Sequence, residues 1–179
     1  MQTAPQDPPQ QQQNVSYFYA VDHRKFIALW LGTLGFYGLY WFYQHWQTIR
    51  TRTGEDFKPW QRTLLAGSWC EPLLLQFQDA GHGFVDAPNL KPRLRAIAWL
   101  LLTATLLLGP PLSLLCPWAF LPLVAAQRRA NQVNAARTPD AAANSRFTAR
   151  NALAMLPLLS VLVLGALVLT GHATLPNSY

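Results

Sequence analysis

Between Phe26 and Trp46 the chain reads FIALWLGTLGFYGLYWFYQHW, 21 residues without an Asp, Glu, Lys or Arg. As one helix rising about 1.5 Å per residue it would reach about 30 Å, the depth of a bilayer's hydrocarbon core. The run therefore predicts a membrane-spanning helix. Its first half is aliphatic and small, whereas its second half holds Phe36, Tyr37, Tyr40, Trp41, Phe42, Tyr43 and Trp46, with Arg50 and Arg52 just beyond. Rings with polar tips settle at headgroup depth with cations outside them, which predicts a cytoplasmic Trp46 end. Gly32, Gly35 and Gly38 recur every three residues. With Tyr37, Tyr40 and Trp41 they form the candidate surface for close approach of another helix; relief of crowding among the bulky rings is the alternative.

The rest of the chain repeats the theme. Of 179 residues 51% are hydrophobic and 12% charged, about half the charge of an ordinary globular domain, and the apolar residues lie in long runs. The expected fold is an all-α membrane protein of about four transmembrane helices, at 26–46, 96–109, 112–126 and 152–171. Residues 17–179 would form a single helical membrane domain. The uncharged run from Ala96 to Ala126 is too long for one straight crossing and carries Gly109, Pro110 and Pro111 at its middle. Proline and glycine there end one helix and start another, giving a short hairpin whose arms span only about 21 to 23 Å. A re-entrant hairpin that never emerges fits the same pattern.

Residues 59–78 contain Arg62, Glu71 and Pro72. A charge near the bilayer centre costs at least about 2.5 kcal/mol, so an interfacial or shallow re-entrant pair of helices broken at Pro72 is expected. Residues 1–16 are rich in Gln and Pro and predict a disordered tail without a cleavable signal. Asp22 is a candidate cap for the first helix, Thr53 and Gly54 its stop, and Thr138 with Pro139 the end of a helix that opens the 127–151 loop.

The net charge is +6, but the 14 basic residues border the apolar runs and form no dense patch, which argues against a nucleic-acid partner. They read as topology signals. Seven lie between the first and second spans and five between the third and fourth. Four crossings put both groups on the cytoplasmic side and both termini in the periplasm.

Chemistry has little to stand on. Cys70 and Cys116 are far apart and form no CxxC, and no phosphate-cradling Gly-Lys loop, HExxH or GxSxG occurs. No cofactor or metal is expected. Arg62 and Glu71 are nine apart and could pair across the Pro72 kink; a structural pair or interfacial snorkelling is expected of them. His45 reads as an interfacial residue. Asp79, His82 and Asp86 have the residue types of a metal or acid-base site in a loop that constrains geometry weakly. An enzyme using Glu71, Asp79 and His82 is the least favoured reading. Asn131 and Asn134 lie one turn apart, on a face shared with Arg128 that would meet headgroups, the Arg62 to Gln78 segment or solvent.

The first helix also resembles the opening of a family of small, uncharacterised bacterial inner-membrane proteins with a Thr-x-Gly-x-Tyr-x-x-Tyr-Trp-Phe-Tyr run. Here that run is Thr33, Gly35, Tyr37, Tyr40, Trp41, Phe42 and Tyr43. The QRRANQVNAA stretch is similar to the same family's second recurrent segment. The resemblance implies a multi-spanning inner-membrane protein and brings no catalytic residue. The expected role is a non-enzymatic accessory or scaffold protein that meets the lipid bilayer and either a second copy or a membrane-protein partner. A small-solute or lipid carrier is the alternative, because broken helices can line cavities.

Overall fold

The 26–46 run does not fold as one helix. A computed structural model describes residues 16–83, 88–139 and 144–173, and in it the run is divided between α1 (His23–Gly32) and α2 (Tyr37–Thr53). The amide of Leu34 donates to the Leu31 carbonyl at 3.0 Å and that of Gly35 to the Trp30 carbonyl at 2.8 Å. Leu34 takes φ 54° and Gly35 φ 95°. This nested pair of bonds is the left-handed closure that terminates helices, with glycine where a Cβ would be strained. Thr33 then serves both sides of the break. Its hydroxyl donates to the Leu29 carbonyl at 2.8 Å and accepts from the Tyr37 amide at 2.8 Å, closing one helix and capping the next. α2 folds back along α1, so that the Phe26 ring lies 5.6 Å from that of Trp41 and 6.2 Å from that of Tyr37. The predicted first crossing is thus a bent hairpin.

Both outer ends of this hairpin follow their sequence signals. Asp22 accepts from the amides of Arg24 and Lys25 at 2.9 and 3.4 Å, and Gly54 ends α2 at φ 69°. The next segment departs from expectation. α3 (Pro59–Leu64) and α4 (Ala66–Gly81) meet at Leu65, and Pro72 lies inside α4. A mid-helix proline deprives one carbonyl of its donor. Here that carbonyl belongs to Ser68, an exposed residue, which explains why the helix survives.

α5 (Pro92–Ala104) continues into a 3-10 turn at Thr105–Leu108. After Gly109 and the cis Pro110-Pro111 bond, a second 3-10 stretch, Leu112–Phe120, leads into α6 (Leu121–Arg137). The expected hairpin forms, with much of its tip in 3-10 geometry. The last apolar run is shared by α7 (Ala149–Ala154) and α8 (Leu156–Ala173), which meet at Met155. The described residues form no strand, and among them no helix is both long and apolar enough to cross a membrane. The fold is all-helical, and the expected crossings at 26–46, 96–109, 112–126 and 152–171 find no support among its described helices. The 1–16 tail falls outside the described residues apart from Ser16.

The core gathers where the two hairpins meet α4. Phe18, Phe26, Trp41, Phe42, Phe77 and Leu123 are all buried there, each side chain contributing about 1.5 to 3 kcal/mol through loss of water contact. Phe18 precedes α1 and is held edge-on to Phe77 at 4.7 Å. A short non-helical stretch from Tyr17 to Asp22 is therefore part of the core.

Candidate functional site

α6 presents Gln127, Asn131 and Asn134 at spacings of four and three, which aligns them along one helix face. That face looks inward. Asn134 accepts from the Phe18 amide at 2.7 Å and donates to the Phe18 carbonyl at 3.0 Å, pairing with both main-chain groups of one residue. Asn131 donates to the Val21 carbonyl at 2.9 Å, and Gln127 donates to the same carbonyl at 3.1 Å and to Asn131 Oδ1 at 2.8 Å. The Tyr17–Asp22 stretch is laced onto α6 by side-chain amides in place of a neighbouring strand. Arg128, expected on this face, is exposed on another.

Gln127, fully buried, also reaches α2. Its Oε1 accepts from Trp41 Nε1 at 2.6 Å and lies 3.2 Å from His45 Nε2. An indole N–H only donates, so it fixes which end of the amide faces α2, and Nε2 of His45 must carry the proton to share that oxygen. Nδ1 of His45 is then a buried acceptor with no partner among the described residues. His45, read from sequence as interfacial, is wholly enclosed by Phe18, Tyr19, Trp41 and Phe77. A buried polar group left without its partner costs about 1 to 3 kcal/mol, so this network selects one arrangement of α2, α6 and the N-terminal stretch.

The three glycines serve the interior. A Cβ at Gly38 would lie 2.6 Å from the Trp30 ring, and one at Gly32 would collide with Met155. Gly35 supplies its positive φ. The turn at residues 33–36 separates Gly32 from Gly38, so the three share no continuous helix face. Tyr37 and Trp41 are buried with them, while Tyr40 is exposed beside Phe36, Leu39 and Tyr43.

The cations gather at the ends of the helices remote from the hairpin turns. Lys25 Nζ donates to Asn144 Oδ1 and the Arg146 carbonyl, both at 2.6 Å; burial holds it below its ordinary pKa. Arg52 donates to the Tyr17 carbonyl at 3.0 Å and stacks on the Tyr17 ring, with Arg137 on the same ring at 4.7 Å. Arg95 donates to the Pro122 carbonyl at 3.1 Å, Arg129 to that of Pro88 at 2.6 Å and Arg137 to that of Ala80 at 3.2 Å. The N-terminal stretch, the end of α2 and the end of α6 thus lie together, where the four-crossing topology placed the first on the far side of the membrane from the other two.

Arg62 does not pair with Glu71. Its guanidinium lies 3.5 Å from the Phe57 ring centre, 4.3 Å from that of Trp69 and 4.5 Å from that of Trp46. Glu71 is half-buried on α4, and Asp79 with His82, 4.0 Å apart, are exposed at the same helix's end. Glu71 and Asp79, eight apart on one helix, are separated by about 12 Å of rise, so these side chains do not converge. Asp86 lies outside the described residues. Among the described residues no group of three His, Cys, Asp or Glu is placed to hold a metal ion. Cys70 is fully buried, and burial, aided by Glu71, pushes its thiol up to about 12, which keeps it protonated and unreactive.

The sequence singled out Asn131 and Asn134 but missed Gln127, Phe18 and Lys25. The available signal was the recurrence of amide side chains at 127, 131 and 134. Compared with protein-family models, with curated proteins and with solved structures, the chain finds no match.

Proposed function

We propose that this chain is a membrane-embedded, non-enzymatic scaffold whose helices enter the bilayer from one face as two bent hairpins, with α8 as a further apolar element. The observation that carries the reading is the division of its surface. Leu106, Leu107, Leu108, Leu112, Leu114 and Leu115 form the exposed tip of the α5–α6 hairpin, with Leu107 86% exposed, and Leu159, Val161 and Leu164 of α8 are exposed as well. Contiguous apolar surface of this kind marks a membrane or protein contact. Every Lys and Arg of the chain lies outside residues 26–49, 96–127 and 151–179. With the N-terminal stretch joined to α2 and α6, a single basic face results, and the inside rule makes it cytoplasmic in a bacterial inner membrane. The expected periplasmic N-terminus is replaced by a cytoplasmic one.

Scaffold is favoured over carrier because the helix breaks are filled from within. Trp30 packs on Gly38 and Met155 on Gly32, where a carrier would keep space for a solute. The interior polar groups, Gln127 foremost, are engaged in holding the chain together. A cytoplasm-active fluorescent reporter and a periplasm-active phosphatase, each joined ahead of Met1, test the topology. Fluorescence with a silent phosphatase is expected, together with retention in membranes washed with alkaline carbonate. Phosphatase activity, or release by carbonate, would refute the reading.

A further inference from the structure

Between the end of α2 and the α3–α4 corner runs an open groove of about 610 Å³, lined by Asp56, Lys58, Trp60, Arg62, Leu64, Leu65 and Trp69 among others. Its size falls in the range of small-molecule sites, about 300 to 1,000 Å³. Arg62 is its built element. Three rings surround the guanidinium, Glu55 acts on it only through its charge, and among the described residues no hydrogen bond or ion pair takes its N–H groups. A planar fork held rigid with its donors unspent is prepared for a phosphate, since little side-chain freedom remains to be lost on binding. Lys58 lines the same groove as a second cation, and Asp56, also exposed, adds one carboxylate to its lining.

The groove's depth in the fold supplies the other half of the chemistry. Trp60, Leu64 and Leu65 are exposed at its rim, the two leucines at 71% and 60%. A Cβ at Gly67, just past the corner, would meet Leu100 of α5 at 3.5 Å, so the rim stands beside the exposed Ile97, Leu100 and Leu101. Cations thus sit where an apolar belt begins, and Trp60 is the residue type that occupies that boundary.

We infer that this groove holds the headgroup of an amine-bearing zwitterionic phospholipid, its phosphodiester on Arg62 and Lys58, its ammonium toward Asp56 and its acyl chains over Leu64 and Leu65. The inference rests on the membrane-embedded reading. The phosphate takes the fork, and the carboxylate answers the ammonium while disfavouring a second anion. A free phosphate ester would satisfy Arg62 and leave the leucine rim uncovered.

The test is native mass spectrometry of the full chain in a mild detergent, with phosphatidylethanolamine, phosphatidylglycerol and diacylglycerol of identical chains as probes, and glycerol phosphate as a soluble competitor. Phosphatidylethanolamine is expected to be retained about tenfold more tightly than diacylglycerol, the effect of one charged hydrogen-bonded contact, and glycerol phosphate is expected not to displace it. Arg62→Gln should erase the difference, Lys58→Gln should reduce it, and Asp56→Asn should shift preference toward phosphatidylglycerol. Arg128→Gln, an exposed change on α6, should alter none of these. Lys58 and Asp56 are exposed, so their variants keep the fold even where loss of the Arg62 cage does not. Equal retention of all three lipids, displacement by glycerol phosphate, or equal losses for Arg62→Gln and Arg128→Gln would overturn the proposal. Carbonate washing of native membranes separates the two failures. A chain that stays in the membrane without headgroup preference sinks the groove alone, and a chain that washes off sinks the embedding as well.

Discussion

The two ends of the α5–α6 hairpin use similar apolar sequence in opposite ways. At the open end, Leu123, Ala126, Ala130 and Val133 of α6 are buried, and Gln127 and Asn134 next to them meet main-chain and indole partners. At the tip, Thr105–Leu108 buries no residue and Leu112–Phe120 buries only Ala119 and Phe120. The open end carries a polar network, which in an enclosed setting specifies one arrangement because each orphaned group is costly. The tip carries none. Its side chains are leucines that gain from any apolar surroundings and discriminate little between them. Fold specification thus resides at the basic end, and the tip is left free for the lipid contact proposed above.

This contrast predicts a graded set of losses. The largest belongs to Gln127→Ala, which leaves Trp41 Nε1 and His45 Nε2 without their acceptor and opens a cavity between α2 and α6; about 3 kcal/mol is expected, read as a lowered unfolding midpoint in detergent. Gly38→Ala comes next at about 2 kcal/mol, because the new methyl would lie within 2.7 Å of the Trp30 ring and force a shift in packed aromatics. Asn134→Ala should cost about 1 to 2 kcal/mol and, more tellingly, expose the Tyr17–Tyr19 stretch to protease while α6 stays intact. Gly54→Ala should cost only about 1 kcal/mol, since φ is 69° but nothing lies within 4 Å. Smallest of all, Leu107→Ser should leave the unfolding midpoint within about 0.5 kcal/mol, as expected for an exposed position. A Leu107 loss as large as that of Gln127 would break the contrast.

Local punctuation was legible in the sequence. Asp22, Gly54, the Pro110 turn and Thr138 stand where their side-chain chemistry puts them, because caps and stops depend on a few adjacent residues. The break inside 26–46 was not. An uncharged run of the right length reads as a span, and its real signal is the short Thr33-x-Gly35-x-Tyr37 pattern, in which a hydroxyl caps the following helix and a glycine takes positive φ. Pro72 misled in the other direction, since the residue most hostile to helices sits in a helix whose freed carbonyl is on an exposed residue. The inward turn of Asn131 and Asn134 depends on the Tyr17–Asp22 stretch packing onto α6, a contact more than a hundred residues distant that periodicity alone does not record. Charge and spacing offer Glu71 to Arg62 as one partner; three aromatic rings from two neighbouring elements and a loop hold it instead.

In the proposed embedding the Leu106–Leu115 tip lies in lipid while the Arg50 end of α2 lies in water. Single nitroxide labels at Leu107→Cys and at Arg50→Cys, in full-length protein reconstituted in vesicles with Cys116→Ala and the buried Cys70 retained, report this by collision with oxygen and with a water-soluble nickel chelate. The label at 107 is expected to relax with oxygen and be sheltered from nickel, and the label at 50 to do the reverse. Nickel access to both labels would contradict it.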